Sequence, residues 1–214
     1  VINISVTGML KTNSSSSSYI GGIAGYAIRS ALERVGFSGK IEADKRFLGG
    51  AVGMLTRSSM VQSFADAEIT IASSAETEIF TGGLVGQLIG YDDVPFKVNN
   101  NYARGTILGS ADHAYVGGLV GQLYAYAGSG HELKYNYSVV DENEDSYLTD
   151  VTGILNNESG VGTVGKAFVG AILVNPDGAN KVLTEGNFYE NGISANGCRD
   201  TSCPTLDTNS TETD

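Results

Sequence analysis

The chain has 214 residues and carries 13 basic against 24 acidic side chains, a formal net charge of −11. This length is enough for one domain with a sizeable core, and a negative surface with scattered lysines and arginines argues against nucleic-acid binding. No apolar run approaches the ~18–20 residues of a membrane helix, so we expect no membrane span in this chain.

The first segment, residues 1–18, is predicted to be an opening strand followed by a flexible loop. Val1, Ile2, Ile4 and Val6 alternate in part with polar residues, as in a half-buried strand. Five consecutive serines, Ser14–Ser18, follow this strand. Such a run cannot bury apolar surface, which is why we expect a loop there.

A five-residue phrase, two glycines, two apolar residues and a glycine, then recurs four times. The copies of the phrase begin at Gly21, Gly49, Gly82 and Gly117, which are 28, 33 and 35 residues apart. Self-similarity at a period of 20–50 residues is typical of stacked repeats. We therefore predict a repeat region over residues 19–190, with copies that start near 19, 48, 81 and 116 and a degenerate fifth copy near 151.

Each copy contains two further apolar stretches after the glycine phrase. In the third copy these are Asn100–Gly105 and Thr106–Leu108. Short strands of this kind cannot bury their apolar side alone, but parallel stacking of copies would join like residues into ladders. The pattern predicts an all-β fold, a short right-handed parallel β-solenoid of four to five irregular coils with loop insertions. The right hand follows from the usual chirality of parallel crossovers. An antiparallel β-sandwich is the alternative.

Insertions differ between copies and are expected to carry the contacts. Residues 27–34 are predicted to form one or two helical turns, and residues 89–98 and 124–134, which include His131, are predicted to be loops. Insertions tend to lie on one side of a solenoid, which is often the binding face. Among the tyrosines, those in or beside the insertions are the predicted ligand contacts, whereas Tyr102, Tyr135 and Tyr137 are predicted to form an internal ladder. The predicted contacts are Tyr91, Tyr124 and Tyr126.

The C-terminal segment, residues 191–214, is predicted to be a short disulfide loop followed by a polar tail. Cys198 and Cys203 have no nearby histidine or further cysteine that would complete a metal site. A disulfide between them would stabilise the fold by only ~2 kcal/mol and would indicate an oxidising compartment. Two unrelated free thiols are the alternative.

The third and fourth copies resemble the GLUG motif. Gly82–Gln87 and Gly117–Gln122 match its GGLVG-polar core, and Asn101–Ile107 is similar to the segment that follows it in that family. Glu185–Tyr189 resembles the end of such arrays, although Tyr189 stands where tryptophan is usual. Proteins with these repeats are mostly bacterial, exported and attached to the cell surface, including adhesins and non-catalytic regions of surface peptidases. The resemblance implies an extracellular module and transfers no catalytic residue.

The sequence contains no constellation of acid, base and nucleophile, so we expect no enzyme and no cofactor. One acidic run could bind Ca²⁺ weakly through its carboxylates, although it lacks a complete EF-hand pattern. Its candidate ligands are Asp141, Glu142, Glu144 and Asp145.

These patterns lead to a main functional hypothesis and two alternatives. The main hypothesis is a non-enzymatic, exported bacterial cell-surface module with an adhesive or structural role, which contacts a glycan or a protein on a host or other surface. One alternative is the subunit of an extracellular filament or pilus-like fibre, which would associate with itself. The other is a carbohydrate-binding accessory domain of a secreted enzyme. Self-association distinguishes the first two hypotheses, because a filament subunit polymerises whereas an adhesive module stays monomeric. Glycan affinity that depends on Tyr124 or Tyr126 would favour the carbohydrate-binding domain.

Overall fold

The computed structural model of the protein describes residues 1–12, 19–71, 79–91, 93–109, 114–125, 129–142, 169–174, 181–185, 188–190 and 211–213. Within these ranges the chain forms twenty β-strands and no helix. The first ten strands are β1 (Ile2–Lys11), β2 (Tyr19–Gly21), β3 (Ala24–Ile28), β4 (Ala31–Ala43), β5 (Phe47–Gly49), β6 (Val52–Thr56), β7 (Ser59–Val61), β8 (Phe64–Ile71), β9 (Ile79–Gly82) and β10 (Val85–Gly90). The other ten are β11 (Lys97–Asn99), β12 (Tyr102–Gly109), β13 (Ala114–Gly117), β14 (Val120–Ala125), β15 (Ser129–Lys134), β16 (Tyr137–Glu142), β17 (Val169–Val174), β18 (Lys181–Glu185), β19 (Phe188–Glu190) and β20 (Thr211–Thr213).

The strands form three sheets, and every pairing among the described strands is parallel. The largest sheet has the order β18-β15-β11-β7-β4-β8-β12-β16-β19-β20, with β1 also paired to β4. The second has the order β17-β14-β10-β6-β3, and the third β13-β9-β5-β2. The prediction of an all-β fold with parallel sheets is confirmed. The antiparallel sandwich is wrong for these strands, because none of their pairings is antiparallel.

The glycine phrases lie side by side in these sheets. Gly21, Gly49, Gly82 and Gly117 are in mutual register along the third sheet. A Cβ on Gly82 would collide with the carbonyl oxygen of Val85 and would lie 2.6 Å from the backbone nitrogen of Gly121. The corner between the second and third sheets is therefore so narrow that only glycine fits there.

The core consists of ladders of like apolar residues that stack from one copy to the next. Ile41, Ile69 and Ile107 are in register and almost fully buried. A second ladder, on the other arm of the same sheet, contains Leu32, Met60, Val98 and Leu133. Each such side chain contributes roughly 1.5–3 kcal/mol relative to an exposed position, and none of the copies could bury these faces alone.

A second type of corner turns the chain within the largest sheet. Its residues, Arg34, Gln62, Asn100 and Tyr135, all have left-handed backbone conformations, with φ between 51° and 58°. The residue that follows each of them is fully or almost fully buried: Val35, Ser63, Asn101 and Asn136. The left-handed residue bends the strand while the neighbouring parallel pairs stay in register.

The tyrosines predicted to form an internal ladder lie outside. Tyr102, Tyr135 and Tyr137 are all exposed, so this prediction is wrong. Side chains alternate across a strand, and Ala103 takes the inward position next to Tyr102. Tyr102 instead stacks on Phe64 on the outer surface, with ring centroids 5.2 Å apart.

A longer aromatic stack runs along the third sheet. Tyr19, Phe47, Phe80 and Tyr115 are in register, and their successive ring centroids are 5.3, 5.5 and 4.8 Å apart. Phe47 and Phe80 are buried. The guanidinium of Arg46 lies over both rings, 5.3 and 5.9 Å from their centroids, a cation–π arrangement that covers the stack.

Three local predictions differ from the structure. Residues 27–28 and 31–34 belong to β3 and β4, and residues 29–30 connect these strands, so the segment is not helical; its strands pair with β6 and β7. The two apolar stretches after each glycine phrase join into one strand, such as β12. His131 lies on β15 and is fully buried, not in a loop. In each case pairing with the neighbouring copy overrides the local sequence preference. The described ranges contain no helix that is long and apolar enough to cross a membrane.

Candidate functional site

An open groove lies where the second sheet meets the largest one. Its volume is about 410 Å³. Three consecutive copies contribute to it, through the connections β3–β4, β6–β7 and β10–β11. We call it the corner groove, and its lining residues are Arg29, Ser30, Ala31, Arg57, Ser58, Ser59, Val94, Pro95 and Lys97.

Two arginines occupy equivalent positions at this corner. Arg29 and Arg57 have left-handed backbones, with φ of 46° and 49°. Each is aligned with the next copy by a backbone hydrogen bond of 3.1 Å, from the Arg29 N–H to Thr56 and from the Arg57 N–H to Ile89. Because adjacent parallel strands lie about 4.8 Å apart, this alignment places two cationic side chains one strand spacing apart on the surface.

The floor of the groove is held by serine hydroxyls. The hydroxyl of Ser58 donates to the carbonyl oxygen of Thr56 at 2.6 Å and accepts from the backbone N–H of Ser30 at 2.9 Å. The hydroxyl of Ser30 donates to the carbonyl oxygen of Ile28 at 2.9 Å. These bonds repeat the same turn in two copies, so the base of the groove is fixed by local geometry.

The outer wall comes from the longer connection of the third copy. The first two copies join their strands through two residues, whereas β10 and β11 are separated by residues 91–96. Phe96 anchors this segment, since it is fully buried and stacks on His131 with ring centroids 4.8 Å apart. The predicted loop over residues 89–98 is confirmed in its central part, and its two ends belong to strands.

Charged and aromatic side chains converge on Arg57. Its guanidinium carbon lies 3.9 Å from the ring centroid of Tyr91. Its Nε donates to Oδ1 of Asp93 at 3.1 Å, and Oδ2 of Asp93 lies 3.7 Å from Nη2 of Arg29. At the other side of the groove, Nζ of Lys97 lies 3.7 Å from Oε1 of Glu132. The arrangement offers cationic donors, one carboxylate and an aromatic ring within a small area, groups that suit a sugar or a polar side chain.

Of the three tyrosines predicted as ligand contacts, the structure places one beside the corner groove. Tyr91 lies beside it and is half-buried. Tyr124 lies on β14, where it pairs in register with Ile89, and is therefore part of a strand and not of an insertion loop. Tyr126 lies outside the described residues. Sequence reasoning missed Arg29, Arg57 and Lys97, although the repeated Arg-Ser at 29–30 and 57–58 was a usable signal.

The predicted calcium ligands and disulfide fall mostly outside the described residues. Asp141 and Glu142 end β16, where they pair in register with Thr106 and Ile107, whereas Glu144, Asp145, Cys198 and Cys203 are not described. Within the described residues, no three His, Cys, Asp or Glu side chains are grouped so that they could hold a metal ion.

Compared with known proteins, the chain matches no protein-family model, no curated protein and no solved structure. A function for this chain is therefore inferred from its own residues and their arrangement.

Proposed function

We propose that the chain is a right-handed β-solenoid that serves as a non-enzymatic, exported cell-surface module and makes adhesive contacts through the corner groove. The solenoid is supported by the way in which the second, third and fourth copies build the three parallel sheets: each contributes one strand to the second sheet, one to the third and two to the largest. It is also supported by the register of the glycine phrases and of the inward ladders. The hand is taken from the general preference of parallel crossovers.

The surface role is supported by the GLUG-like phrases of the third and fourth copies. Gly82 and Gly117, which open these two phrases, occupy equivalent corner positions in adjacent strands. The resemblance to bacterial exported proteins thus concerns residues on which the stacking depends, and it is what supports the proposed extracellular location.

The observation that carries the adhesive role is the corner groove itself. Among the described copies, only the third adds a wall, through residues 91 and 93–96. The wall lies beside a surface to which the first two copies each contribute an Arg-Ser pair. Arg57 is held against Tyr91 and Asp93, so its guanidinium is pre-oriented before a ligand binds. Pre-orientation reduces the entropy lost on binding, which is why rigid aromatic and arginine side chains dominate many contact surfaces.

A glycan is the ligand class that the groove chemistry favours over a folded protein surface. Arginine and lysine donors together with the Asp93 acceptor can hydrogen-bond to sugar hydroxyls or acidic groups, and Tyr91 supplies an apolar ring edge. The groove is small and open, which suits one or two sugar rings of a longer chain.

A glycan array probed with the purified chain tests this function, and Arg57→Ala is the first variant to compare. We expect binding to a restricted set of glycans and at least a roughly tenfold loss of affinity in the variant, since a charge-assisted bond and an aromatic contact are both removed. Arg34→Ala is the matched control, because Arg34 has the same left-handed backbone, with φ of 51°, at a different corner. Equal loss in both variants would contradict a role for the groove, and the absence of any bound glycan would exclude sugars as its target.

A further inference from the structure

The corner groove is a cationic site on an acidic chain. Among the described residues that line it, Arg29, Arg57 and Lys97 are cationic and none is acidic. The chain as a whole carries 24 acidic against 13 basic side chains. A local positive site on a negative surface attracts ligands that carry negative charge, whereas a neutral ligand gains nothing from its field. The charge of the groove therefore favours a ligand with an acidic group.

Arg57 is the cation of the groove that the protein itself compensates. Its Nε donates to Oδ1 of Asp93 at 3.1 Å, and its guanidinium carbon lies 3.9 Å from the ring centroid of Tyr91. The side chain of Arg57 is 26% exposed, so these contacts also cover much of it. A charge-assisted hydrogen bond and a cation–π contact hold Arg57 in place, and Arg57 therefore acts as a fixed part of the groove wall.

The charged groups of Arg29 and Lys97 are free to turn toward a ligand. Nη2 of Arg29 lies 3.7 Å from Oδ2 of Asp93, and Nζ of Lys97 lies 3.7 Å from Oε1 of Glu132. Both distances are too long for a hydrogen bond, and neither group has a shorter contact with a carboxylate in the described part of the chain. The two side chains are 65% and 53% exposed. A ligand would thus recruit both cations without breaking a charge-assisted hydrogen bond.

The backbone beneath these two cations is fixed by strand pairing. Ala31, Ser59 and Lys97 are in register on adjacent parallel strands. Two strand spacings, about 10 Å, therefore separate Lys97 from the copy that carries Arg29. The backbone N–H of Lys97 also donates to the carbonyl oxygen of Ser58 at 3.1 Å. Both side chains are long, so an anionic group that lies in the groove between them can accept hydrogen bonds from two sides.

We propose that the corner groove binds an acidic sugar whose carboxylate lies between the guanidinium of Arg29 and the ammonium of Lys97. The inference rests on the proposed function, from which the sugar class is taken, and it names the group of the glycan that the groove selects. A carboxylate has two oxygens, one for each cation, and the planar guanidinium matches its geometry. Arg57 and Tyr91 then form the wall beside the sugar ring.

A densely charged polymer fits the groove less well than a sugar with a single carboxylate. The chain has a formal net charge of −11, so further sulfate or phosphate groups of such a polymer would lie against a predominantly acidic protein. The cationic area is also confined to one groove of about 410 Å³. One acidic group at one sugar ring is therefore the ligand that the distribution of charge favours.

Calorimetric titration of the wild-type chain with matched pairs of oligosaccharides is the first test. Short oligosaccharides that end in glucuronic, galacturonic or sialic acid are each compared with their carboxyl-reduced, neutral counterparts. We expect at least one acidic sugar to bind about tenfold more tightly than its neutral counterpart, because charge-assisted hydrogen bonds replace neutral ones. Equal affinity within every pair would overturn the inference and leave the proposed glycan-binding function standing. Absence of binding by all of these sugars would also overturn it, while the glycan array decides the proposed function separately.

Arg29→Gln and Lys97→Gln test the two cations directly. Each variant is expected to bind the acidic sugar about tenfold more weakly and its neutral counterpart with unchanged affinity, since only the charged donor is lost. Glutamine is compatible with the left-handed backbone of position 29, because Gln62 has a φ of 52°. Lys40→Gln is the matched control: the side chain of Lys40 is 59% exposed and lies 2.7 Å from Glu68 on the other arm of β4. An equal loss in this control would show that only the net charge matters and would overturn the assignment.

A charge-conserving variant and a change of salt separate the charge of Arg29 from a structural role. Arg29→Lys keeps the cation, so it should retain most of the preference for the acidic sugar that Arg29→Gln loses. Added salt should weaken the binding of the acidic sugar and leave that of the neutral one nearly unchanged, because exposed charges are screened. Loss of the preference in Arg29→Lys together with salt-independent binding would contradict the role of its charge. Tighter binding of a sulfated polymer, or equal binding of a short glutamate-rich peptide, would overturn the choice of a carboxylated sugar.

Discussion

Asn136 accepts two hydrogen bonds from Asn101 of the preceding copy inside the stack. Its Oδ1 lies 3.1 Å from the backbone nitrogen of Asn101 and 3.0 Å from the side-chain Nδ2 of the same residue. Oδ1 of Asn101 in turn accepts from the backbone N–H of Ser63 at 2.9 Å, and the hydroxyl of Ser63 accepts from the backbone N–H of Val35 at 3.1 Å. One polar position thus satisfies the backbone at the same buried corner in successive copies.

Replacing Asn101 by alanine is expected to lower the free energy of unfolding by ~2–4 kcal/mol, because buried groups of Ser63 and Met60 lose their partner and a small cavity forms. Urea denaturation followed by circular dichroism measures this loss. Asn99→Ala is the control: Asn99 is only half-buried, although it is hydrogen-bonded to Glu132, and we expect a loss of about 1 kcal/mol or less. Similar losses in the two variants would contradict a special role of the buried ladder.

Gly82→Ala tests the narrow corner between the second and third sheets. The added methyl group would meet the carbonyl oxygen of Val85 and the backbone of Gly121, which cannot rotate away. We expect the variant to lose about 2 kcal/mol or more of stability, as overpacked sites do. Gly8→Ala is the matched change, because no atom lies within 4 Å of a Cβ at that position. Its thermal midpoint should stay close to that of the wild type or rise slightly, and a drop as large as that of Gly82→Ala would argue against the steric explanation.

The glycine corners could be predicted because their constraint is local and periodic. Each glycine phrase forms a turn in the same narrow space, so glycine recurs at positions 49, 82 and 117. The parallel pairing of Gly49, Gly82 and Gly117 follows from this recurrence. The apolar ladders follow from the same argument, since alternation along β8 and β12 places Ile69 and Ile107 on one side.

The features that sequence reasoning missed depend on contacts between copies. The Asn101–Asn136 ladder left a signal, as each asparagine directly precedes a tyrosine in its copy, but the direction of these tyrosines depends on which strand face is inward. A helical preference over residues 27–34 lost to pairing with β6 and β7, which no local pattern encodes. The corner groove could not be predicted from the sequence, because its cationic side chains come from three copies and are brought together only by the register of the strand pairing.

Phe80→Ala is expected to destabilise the fold by ~3–5 kcal/mol, because Phe80 is buried between the rings of Phe47 and Tyr115. Tyr102→Ala removes a ring that also stacks, on Phe64, but on the exposed surface, so a loss of about 1 kcal/mol is expected. Chemical denaturation of the two variants compares the stacks directly. If Tyr102→Ala lowered the stability as much as Phe80→Ala, burial would not explain the difference expected between the two stacks.

The outer wall of the corner groove should depend on packing and hardly at all on its ion pairs. Asp93 is 54% exposed and its partner Arg29 is 65% exposed, so Asp93→Ala is expected to change stability by less than about 0.5 kcal/mol. Phe96 is fully buried against His131, and Phe96→Ala should cost ~3–5 kcal/mol and release residues 91–96. Thermal unfolding and proteolysis within this segment measure both effects.

Because Arg57 is oriented by Tyr91 and Asp93 on that segment, release of the wall should weaken ligand binding even in the folded fraction of Phe96→Ala. An intact protease resistance in this variant would show that other contacts hold the wall.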